Sequence, residues 1–307
     1  MNILLTGAAG QLGQELIPRL KELGSVSLAD RVAVPRKAET IQLDLADLNR
    51  VEIMLNRQRP DVVVNAAAYT AVDLSEDHAS DAFRVNADLP GCLARWCRRN
   101  GRLLIHYSTD YVFDGDSSRP YTEMDEAVPL GVYGESKLAG EQAIEACGCR
   151  HVILRTSWVY SGHGNNFLLT MLRLARARPN LTIVSDQKGC PTWARNLARV
   201  TGQVIEQTVS GEPGSTPGGI YHYCDGDVVT WYEFAHAIFS EAVEAGLLDR
   251  MPIMKAIRTS EFPQKAKRPL YSVLDTSRIQ ETFGIEPAGM QQALHTCIRE
   301  VAENENR

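Results

Sequence analysis

The first thirteen residues constrain the fold more than any other stretch of the chain. A short apolar run over residues 3–5 is the right length for a buried parallel strand, and it is followed by a turn containing Gly7, Gly10 and Gly13. A leucine-rich stretch with helical spacing comes next. In this order, Gly7 allows a tight turn, Gly10 lets the backbone approach a pyrophosphate, and Gly13 lets helix and strand pack closely. Ordinary loop chemistry is the alternative, but the position between strand and helix favours dinucleotide binding.

The next two predicted strands end in acidic residues. Asp30 follows the turn by about twenty residues, where a carboxylate that binds the adenosine ribose is expected, although a solvated strand end is the alternative. Arg31 and Arg36 could accept a 2′-phosphate, so the sequence leaves both NADH and NADPH open. Asp44 and Leu45 end the third strand, near the expected adenine position, and Asp44 could equally cap the following helix.

Composition excludes several other classes of protein. With 44% hydrophobic and 23% charged residues, the 307-residue chain is typical of a soluble globular protein with a core of good size. A net charge of −6 argues against nucleic-acid binding. Seven scattered cysteines without a C-x-x-C pair predict neither a disulfide framework nor a zinc site. Because the fold begins at residue 2 and no membrane-spanning run appears, we expect a cytoplasmic protein without a membrane partner.

Two further predicted strands end in residues that suit a ligand site. The strand over residues 61–69 passes from valines to small residues, which leave room near the backbone at its carboxyl end, where open α/β sheets bind ligands. A tight helix–strand contact would explain these small residues as well. The strand that starts near residue 102 runs into Ser108, Thr109 and Asp110, which could also be plain turn chemistry.

Tyr133 and Lys137 stand four residues apart at the start of a predicted helix over residues 136–147 and therefore share one helical face. A lysine one turn away is expected to lower the pKa of the phenol and make it a usable proton donor and acceptor. Alone, such a pair is more often a surface pair. After a glycine turn and a hydroxyl-ended strand, it predicts a hydroxyl–tyrosine–lysine site beside a nicotinamide.

These elements predict an α/β fold: a Rossmann-type doubly wound parallel sheet with a smaller C-terminal α/β substrate domain. We expect residues 1–160 to form the NAD(P)-binding domain and residues 161–307 to be mainly substrate-binding, with a return to the core domain around residues 181–208. Further expected elements are a long helix over 82–99, a linker over 210–219, a Thr230–Glu233 capping box and a strand over 253–257.

Five longer motifs carry a resemblance to a known family. They are NAAAYTAVD (65–73), HYSTDYVFDG (106–115), VYGESKLAGE (132–141), RTSWVYSGHGNNF (155–167) and QKGCPT (187–192). With these motifs the chain resembles the extended short-chain dehydrogenase/reductases, and among them the enzymes that reduce the C4 ketone of dTDP-4-dehydro-β-L-rhamnose to dTDP-L-rhamnose. The similarity extends in family order to about residue 285, and the family uses a nicotinamide cofactor.

The resemblance implies a role for each matching position. The implied catalytic residues are Thr109 as the hydroxyl member, Tyr133 as the proton donor and Lys137 as the ligand of the nicotinamide ribose. The implied cofactor contacts are Gly7, Gly10, Gln11, Leu12, Gly13, Asp30, Asp44, Leu45, Ala67, Ala68, Tyr69, Thr70, Tyr133 and Lys137. The implied substrate contacts are Thr109, Asp110, Trp158, Asn165, Asn166 and Arg268. The family often has histidine at the position of Tyr69.

The resemblance also leaves alternatives open. A nucleotide-sugar epimerase or dehydratase of the same superfamily would retain tightly bound NAD⁺. A regulatory subunit of methionine adenosyltransferase has the same fold without the reaction, and the complete Thr109–Tyr133–Lys137 set favours an enzyme. Some family members use Mg²⁺ together with dimerisation, so Mg²⁺ and a homodimer are further expectations, whereas the residues themselves predict no metal site.

Overall fold

The computed structural model describes residues 1–34, 39–211 and 218–305. The strands are β1 (Asn2–Thr6), β2 (Ser25–Asp30), β3 (Thr40–Gln42), β4 (Val62–Asn65), β5 (Leu103–Thr109), β6 (Arg150–Thr156), β7 (Val159–Tyr160), β8 (Asn180–Val184), β9 (Lys188–Gly189), β10 (Thr192–Trp193), β11 (Gly219–His222), β12 (Val229–Thr230) and β13 (Ile253–Ile257). The helices are α1 (Gln11–Leu23), α2 (Leu48–Gln58), α3 (Val72–Ser75), α4 (Ala79–Phe83), α5 (Leu89–Asn100), α6 (Val132–Cys147), α7 (Phe167–Ala177), α8 (Ala194–Ser210), α9 (Trp231–Glu244), α10 (Ser277–Phe283) and α11 (Met290–Glu305).

A seven-stranded parallel sheet forms the centre of the molecule, in the order β11-β6-β5-β4-β1-β2-β3. This topology confirms the predicted Rossmann-type doubly wound fold. The chain builds the sheet outward in both directions from β1, so the strand order reverses between β1 and β4. A crevice opens at such a reversal, outside the carboxyl ends of the strands.

Helices cover both faces of the sheet because its strands are apolar on both sides. In β1, Ile3 and Leu5 pack in one buried cluster with Leu16 of α1 and Leu197 of α8. Leu4, which points to the opposite face, packs with residues of α2 and α5. The period of two along the strand therefore divides the core into two layers.

The second half of the chain forms another apolar core beside the sheet. Helices α7, α9 and α11 enclose it with buried side chains that include Leu168, Phe234 and Leu294. Around it, β8 pairs with β13, β9 with β12 and β7 with β10. The predicted strand over 253–257 and the capping box of Thr230 and Glu233 are both confirmed.

The chain crosses back to the central sheet late. Helix α8 packs on α1, and β11 pairs with β6 as the edge strand. By contrast, β8 pairs with β13 in the second half. The division into domains at residue 160 and the return to the core domain around residues 181–208 both stay predictions.

The predicted helix over residues 82–99 is interrupted. A π-helical turn, Arg84–Asp88, separates α4 from α5. Pro90 has no amide hydrogen to donate to the Asn86 carbonyl, so the regular helical bond is missing there. The Asn86 side chain is hydrogen-bonded to the backbone of Tyr69 and to the Ser136 hydroxyl. The strand over 61–69 is also shorter than predicted, because its pairing with β1 stops at Asn65. Most of the predicted linker over 210–219 lies outside the described residues.

Candidate active site

The glycine turn after β1 lies against the chain that leaves β4. Gly7 has a φ of +73°, and a Cβ atom there would come within 2.4 Å of the Ala67 backbone nitrogen, so only glycine fits. At Gly13 a Cβ would come within 2.1 Å of the Gly7 carbonyl oxygen, which explains the close packing of α1 on the turn. Gly10 precedes α1 without a side-chain cap, so the first amides of the helix can receive an anion.

The Asp30 carboxylate borders the first of two connected cavities. Its Oδ2 accepts a hydrogen bond from the Ala9 amide at 2.9 Å, and its Oδ1 accepts one from the Val32 amide at 3.2 Å. The cavity has a volume of about 350 Å³, and Arg31 lies on its wall. The expected cofactor residues on this wall are Gly7, Gly10, Asp30, Asp44, Leu45, Ala67, Ala68 and Tyr69. Arg36 lies outside the described residues.

The second cavity continues from the first past the glycine turn and has a volume of about 710 Å³. The two share Ala9, Gly10, Ala66 and Ala68. The expected site residues on the second wall are Gly10, Gln11, Leu12, Ala68, Thr70, Thr109, Asp110, Tyr133, Lys137, Trp158 and Asn165. One groove thus runs from Asp30 to the hydroxyl–tyrosine–lysine set.

Thr109 and Tyr133 meet in the second cavity. Thr109 ends β5, and its hydroxyl donates to Asp110 Oδ1 at 3.0 Å and accepts from the Tyr111 amide at 3.2 Å. The Tyr133 hydroxyl, in the first turn of α6, is hydrogen-bonded to Thr109. Burial raises the pKa of Asp110 to about 6, against the effect of its hydrogen bonds with Ser272 and Thr109.

The pKa of Tyr133 moves in the opposite direction to the prediction. Burial raises it to about 12, the hydrogen bond with Thr109 opposes this rise, and the nearby charge of Asp110 adds to it. Lys137 is not among the groups that shift it, so the expectation that Lys137 lowers this pKa is wrong. A phenol with this pKa is protonated at neutral pH, which is the state that a proton donor needs.

Lys137 is buried beneath Tyr133 on the same helix. Its Nζ donates to the Tyr107 carbonyl oxygen at 2.6 Å. Burial lowers the pKa of Lys137 to about 8, and the charge of Glu141 opposes this shift. Glu141 in turn accepts two hydrogen bonds from Arg155 of β6, at 2.9 and 2.6 Å. This buried ion pair fixes α6, and with it both site residues, against the sheet.

Trp158 is held in an unusual position on the wall of the second cavity. Its φ of +46° is rare for a large side chain, and such strain is typically kept at functional sites. Its ring stacks on Trp231, with 3.4 Å between ring centroids, and lies so close to Gly189 that a Cβ there would clash. Trp231 and Phe167 also line the cavity. The sequence analysis did not predict either of them as a site residue. The only sequence pattern that it identified near Trp231 was the capping box that begins at Thr230.

Three expected site residues are not on the cavity walls. Gly13 packs α1 on the glycine turn. Asn166 caps α7 by accepting from the Leu169 amide and donates to Gln11. Arg268 forms an ion pair with Asp73 at 2.8 Å, and its role in substrate binding stays a prediction.

Neither a metal cluster nor a membrane-spanning helix is found in the described parts of the chain. Within residues 1–34, 39–211 and 218–305, no group of three or more His, Cys, Asp or Glu side chains is placed to hold a metal ion, so the expectation of Mg²⁺ gains no support. In the same ranges, no helix combines the length and apolar character needed to cross a bilayer.

Comparisons with known proteins agree with this geometry. The family model described as RmlD substrate binding domain matches residues 1–303. The dTDP-4-dehydrorhamnose reductase of Aggregatibacter actinomycetemcomitans is 42% identical over 301 residues, which covers 98% of this chain and 99% of the relative. The enzyme of the same name from Escherichia coli K12 is 39% identical and covers 98% of both chains.

Solved structures lead to the same family. The structure of a dTDP-4-dehydrorhamnose reductase from Clostridium acetobutylicum superposes with a TM-score of 0.87 at 36% identity, covering 98% of this chain and 99% of the other. The reductase from Bacillus anthracis, solved in complex with NADP, gives a TM-score of 0.85 at 30% identity, covering 97% of this chain and 99% of the other. The full-length match and the shared fold show that this chain belongs to the dTDP-4-dehydrorhamnose reductase family.

Proposed function

We propose that this protein reduces the C4 ketone of dTDP-4-dehydro-β-L-rhamnose to dTDP-L-rhamnose with NADPH, the last step of dTDP-rhamnose biosynthesis. One observation carries the proposal. Thr109, Tyr133 and Lys137 lie together at one end of a groove, and the glycine turn and Asp30 lie at its other end. The names of the full-length relatives supply the substrate.

The groove fits a dinucleotide. Gly7 and Gly13 bring backbone so close that no side chain could replace them, and the uncapped first turn of α1 offers amides to a pyrophosphate. Asp30, held by two backbone amides, would accept the ribose hydroxyls. Arg31 on the same wall favours a 2′-phosphate, and the Bacillus anthracis relative was solved with NADP. We therefore favour NADPH over NADH.

When bound, NADPH supplies the hydride for C4 of the sugar. Negative charge develops on the ketone oxygen during this transfer, so a hydrogen-bond donor must already be in place. Tyr133, protonated at neutral pH, gives its proton to this oxygen, and Thr109 contacts the same oxygen and orients it. Lys137 lies beneath them, where it would bind the nicotinamide ribose and return a proton to Tyr133.

The sugar is expected beside the stacked tryptophans. Trp158 and Trp231 offer an apolar face of the kind on which sugar rings pack, and Asn165 lies on the same wall. Asp110, adjacent to Thr109, would accept sugar hydroxyls. We propose that residues 1–160, together with α8 and β11, bind the cofactor, that the remainder mainly binds the substrate, and that the enzyme works in the cytoplasm.

The experiment is NADPH oxidation followed by absorbance, with enzymatically generated dTDP-4-dehydro-β-L-rhamnose and with NADH in parallel. Oxidation that yields dTDP-L-rhamnose, identified by NMR, supports the proposal, and the two rates rank the cofactors. No oxidation by folded protein that still binds NADPH would overturn the substrate assignment. Stoichiometric NAD⁺ in the purified protein would favour an epimerase or dehydratase instead.

A further inference from the structure

A row of polar side chains crosses the central sheet beneath the active site. Thr6 and Asn65 end β1 and β4, and His106, in the middle of β5, is the register partner of Asn65. Each of them is at most 1% exposed. Buried polar groups are rarely left without partners, because each unmade hydrogen bond costs stability. The proposed reaction uses none of these three residues, so the row needs an explanation of its own.

The contacts along the row form an ordered chain. The Thr6 hydroxyl donates to Asn65 Oδ1 at 2.7 Å. Asn65 Nδ2 lies 3.0 Å from His106 Nδ1. On the other side of the imidazole, His106 Nε2 lies 3.5 Å from Lys137 Nζ. The row therefore ends at the lysine of the active site.

The row determines which imidazole nitrogen carries the proton. Burial, together with the charges of Lys137 and His151, lowers the pKa of His106 well below its usual value, so the ring is neutral and has one N–H. In this structure the Asn65 oxygen accepts from the Thr6 hydroxyl, which leaves the amide NH₂ group facing His106 Nδ1, and in this orientation of the amide Nδ1 is the acceptor. The proton of His106 is therefore on Nε2, and this N–H faces Lys137.

An N–H group that faces Nζ distinguishes between the two protonation states of Lys137. A neutral amine can accept this hydrogen bond, whereas an ammonium group has no lone pair to offer. The other ionisable groups around Lys137 are Tyr133, which is protonated, and Glu141, whose charge is paired with Arg155. The imidazole thus favours the neutral lysine, which still donates to the Tyr107 carbonyl oxygen.

We propose that His106, oriented by Asn65 and Thr6, is a positioning residue for Lys137: its Nε2–H stabilises the neutral amine and thereby eases the release of a proton from the lysine to Tyr133. This inference rests on the proposed reductase function. After Tyr133 has given its proton to the product oxygen, the phenolate takes a proton from the Lys137 ammonium group. The resulting amine accepts the hydrogen bond from His106 until water from the groove restores the lost proton.

The tautomer can be measured without any activity. Imidazole nitrogen chemical shifts of protein labelled with ¹⁵N-histidine separate Nδ1–H, Nε2–H and charged rings, and the His106→Leu spectrum identifies the signals of His106. We expect a neutral Nε2–H ring from about pH 5 to 9, because burial opposes its charging. An Nδ1–H ring, or a ring that titrates near its usual pKa, overturns the proposal but leaves the reductase function untouched.

Two substitutions in the row test its effect on the reaction. Asn65→Asp presents only oxygen to His106, so the proton moves to Nδ1 and Nε2 accepts from the lysine ammonium group. We then expect the alkaline limb of the kcat/KM profile to move up by about one pH unit. Thr6→Val frees the Asn65 amide to rotate, so the shift has the same direction and a smaller size. Thr6→Ser keeps the hydroxyl and is the matched control.

His222→Leu controls for the loss of a buried histidine elsewhere. His222 is fully buried on β11 and bonded to the Tyr121 carbonyl oxygen, away from Lys137. We expect this variant to keep the wild-type pH profile even if it is less stable. If Asn65→Asp and Thr6→Val lower kcat but leave the alkaline limb unchanged, the row is only structural and the proposal fails. If the wild-type protein has no reductase activity while His106 is an Nε2–H ring, the proposed function fails and the orientation of the row stands.

Discussion

The buried ion pair between Glu141 and Arg155 allows a quantitative test of how the catalytic helix is held. The side chains of Glu141 and Arg155 are 1% and 4% exposed, and two hydrogen bonds join them at 2.9 and 2.6 Å. Replacing Glu141 with Gln keeps the size and one acceptor but removes the negative charge. The Arg155 guanidinium would then be a buried charge that keeps an amide oxygen as one acceptor and lies over the Phe113 ring, with 5.2 Å between Cζ and the ring centroid.

The expected cost follows from this geometry. Removing one partner of a buried pair typically destabilises a protein by about 3–5 kcal/mol. The remaining amide contact and the Phe113 ring offset part of the cost, so we expect a value near 3 kcal/mol, at the lower end of that range. The matched control is Glu52→Gln, which breaks the exposed pair with Arg99, whose partners are 43% and 59% exposed. That change should cost less than about 1 kcal/mol.

Urea denaturation followed by circular dichroism measures both free energies of unfolding. A loss for Glu141→Gln as small as that of the control would refute the idea that the pair holds α6 on β6. A second readout is the pH profile of kcat/KM. The charge of Glu141 raises the pKa of Lys137, so its removal should move the alkaline limb of the profile to lower pH.

Three further predictions concern the reaction itself. Tyr133→Phe removes the proton donor, so kcat should fall by roughly 10²–10⁴-fold while NADPH binding, measured by fluorescence titration, is unchanged; full activity would exclude Tyr133 as the donor. Because burial lowers the pKa of Lys137 to about 8, the lysine is charged below that pH, and kcat/KM should decline as pH rises through it; a flat profile would contradict this role. Asp73→Asn breaks the half-exposed pair with Arg268 and weakens the anchoring of the loop over residues 262–270. We expect KM for the sugar to rise about tenfold, while the free energy of unfolding changes by less than about 1 kcal/mol. An unchanged KM would show that this loop does not contribute to sugar binding.

The features that could be predicted from the sequence are those fixed by local chemistry. Gly7 and Gly13 are needed where they stand because of backbone conformation and close packing, and both constraints appear as a short motif. Tyr133 and Lys137 share a helical face because of their spacing. The alternation of strands and helices was enough to predict the parallel sheet.

The features that could not be predicted depend on burial and on contacts between residues that are far apart in the sequence. The rise in the pKa of Tyr133 comes from burial, which is not visible in the spacing to Lys137. Arg268 is bonded to Asp73, 195 positions earlier in the chain, and only the fold brings the two together. Trp231 reaches the groove by stacking on Trp158, and no local pattern connects them. The roles of these residues in binding stay predictions.

The late position of β11 has a consequence for how the protein is made. β6 ends at residue 156, but β11, the neighbour on its outer edge, begins only at Gly219, after α7 and α8 have been synthesised. On the ribosome, the nascent sheet therefore exposes the unpaired edge of β6 until this strand emerges. Exposed strand edges of this kind promote mispairing, so we expect newly made chains truncated between these strands to aggregate or to recruit chaperones.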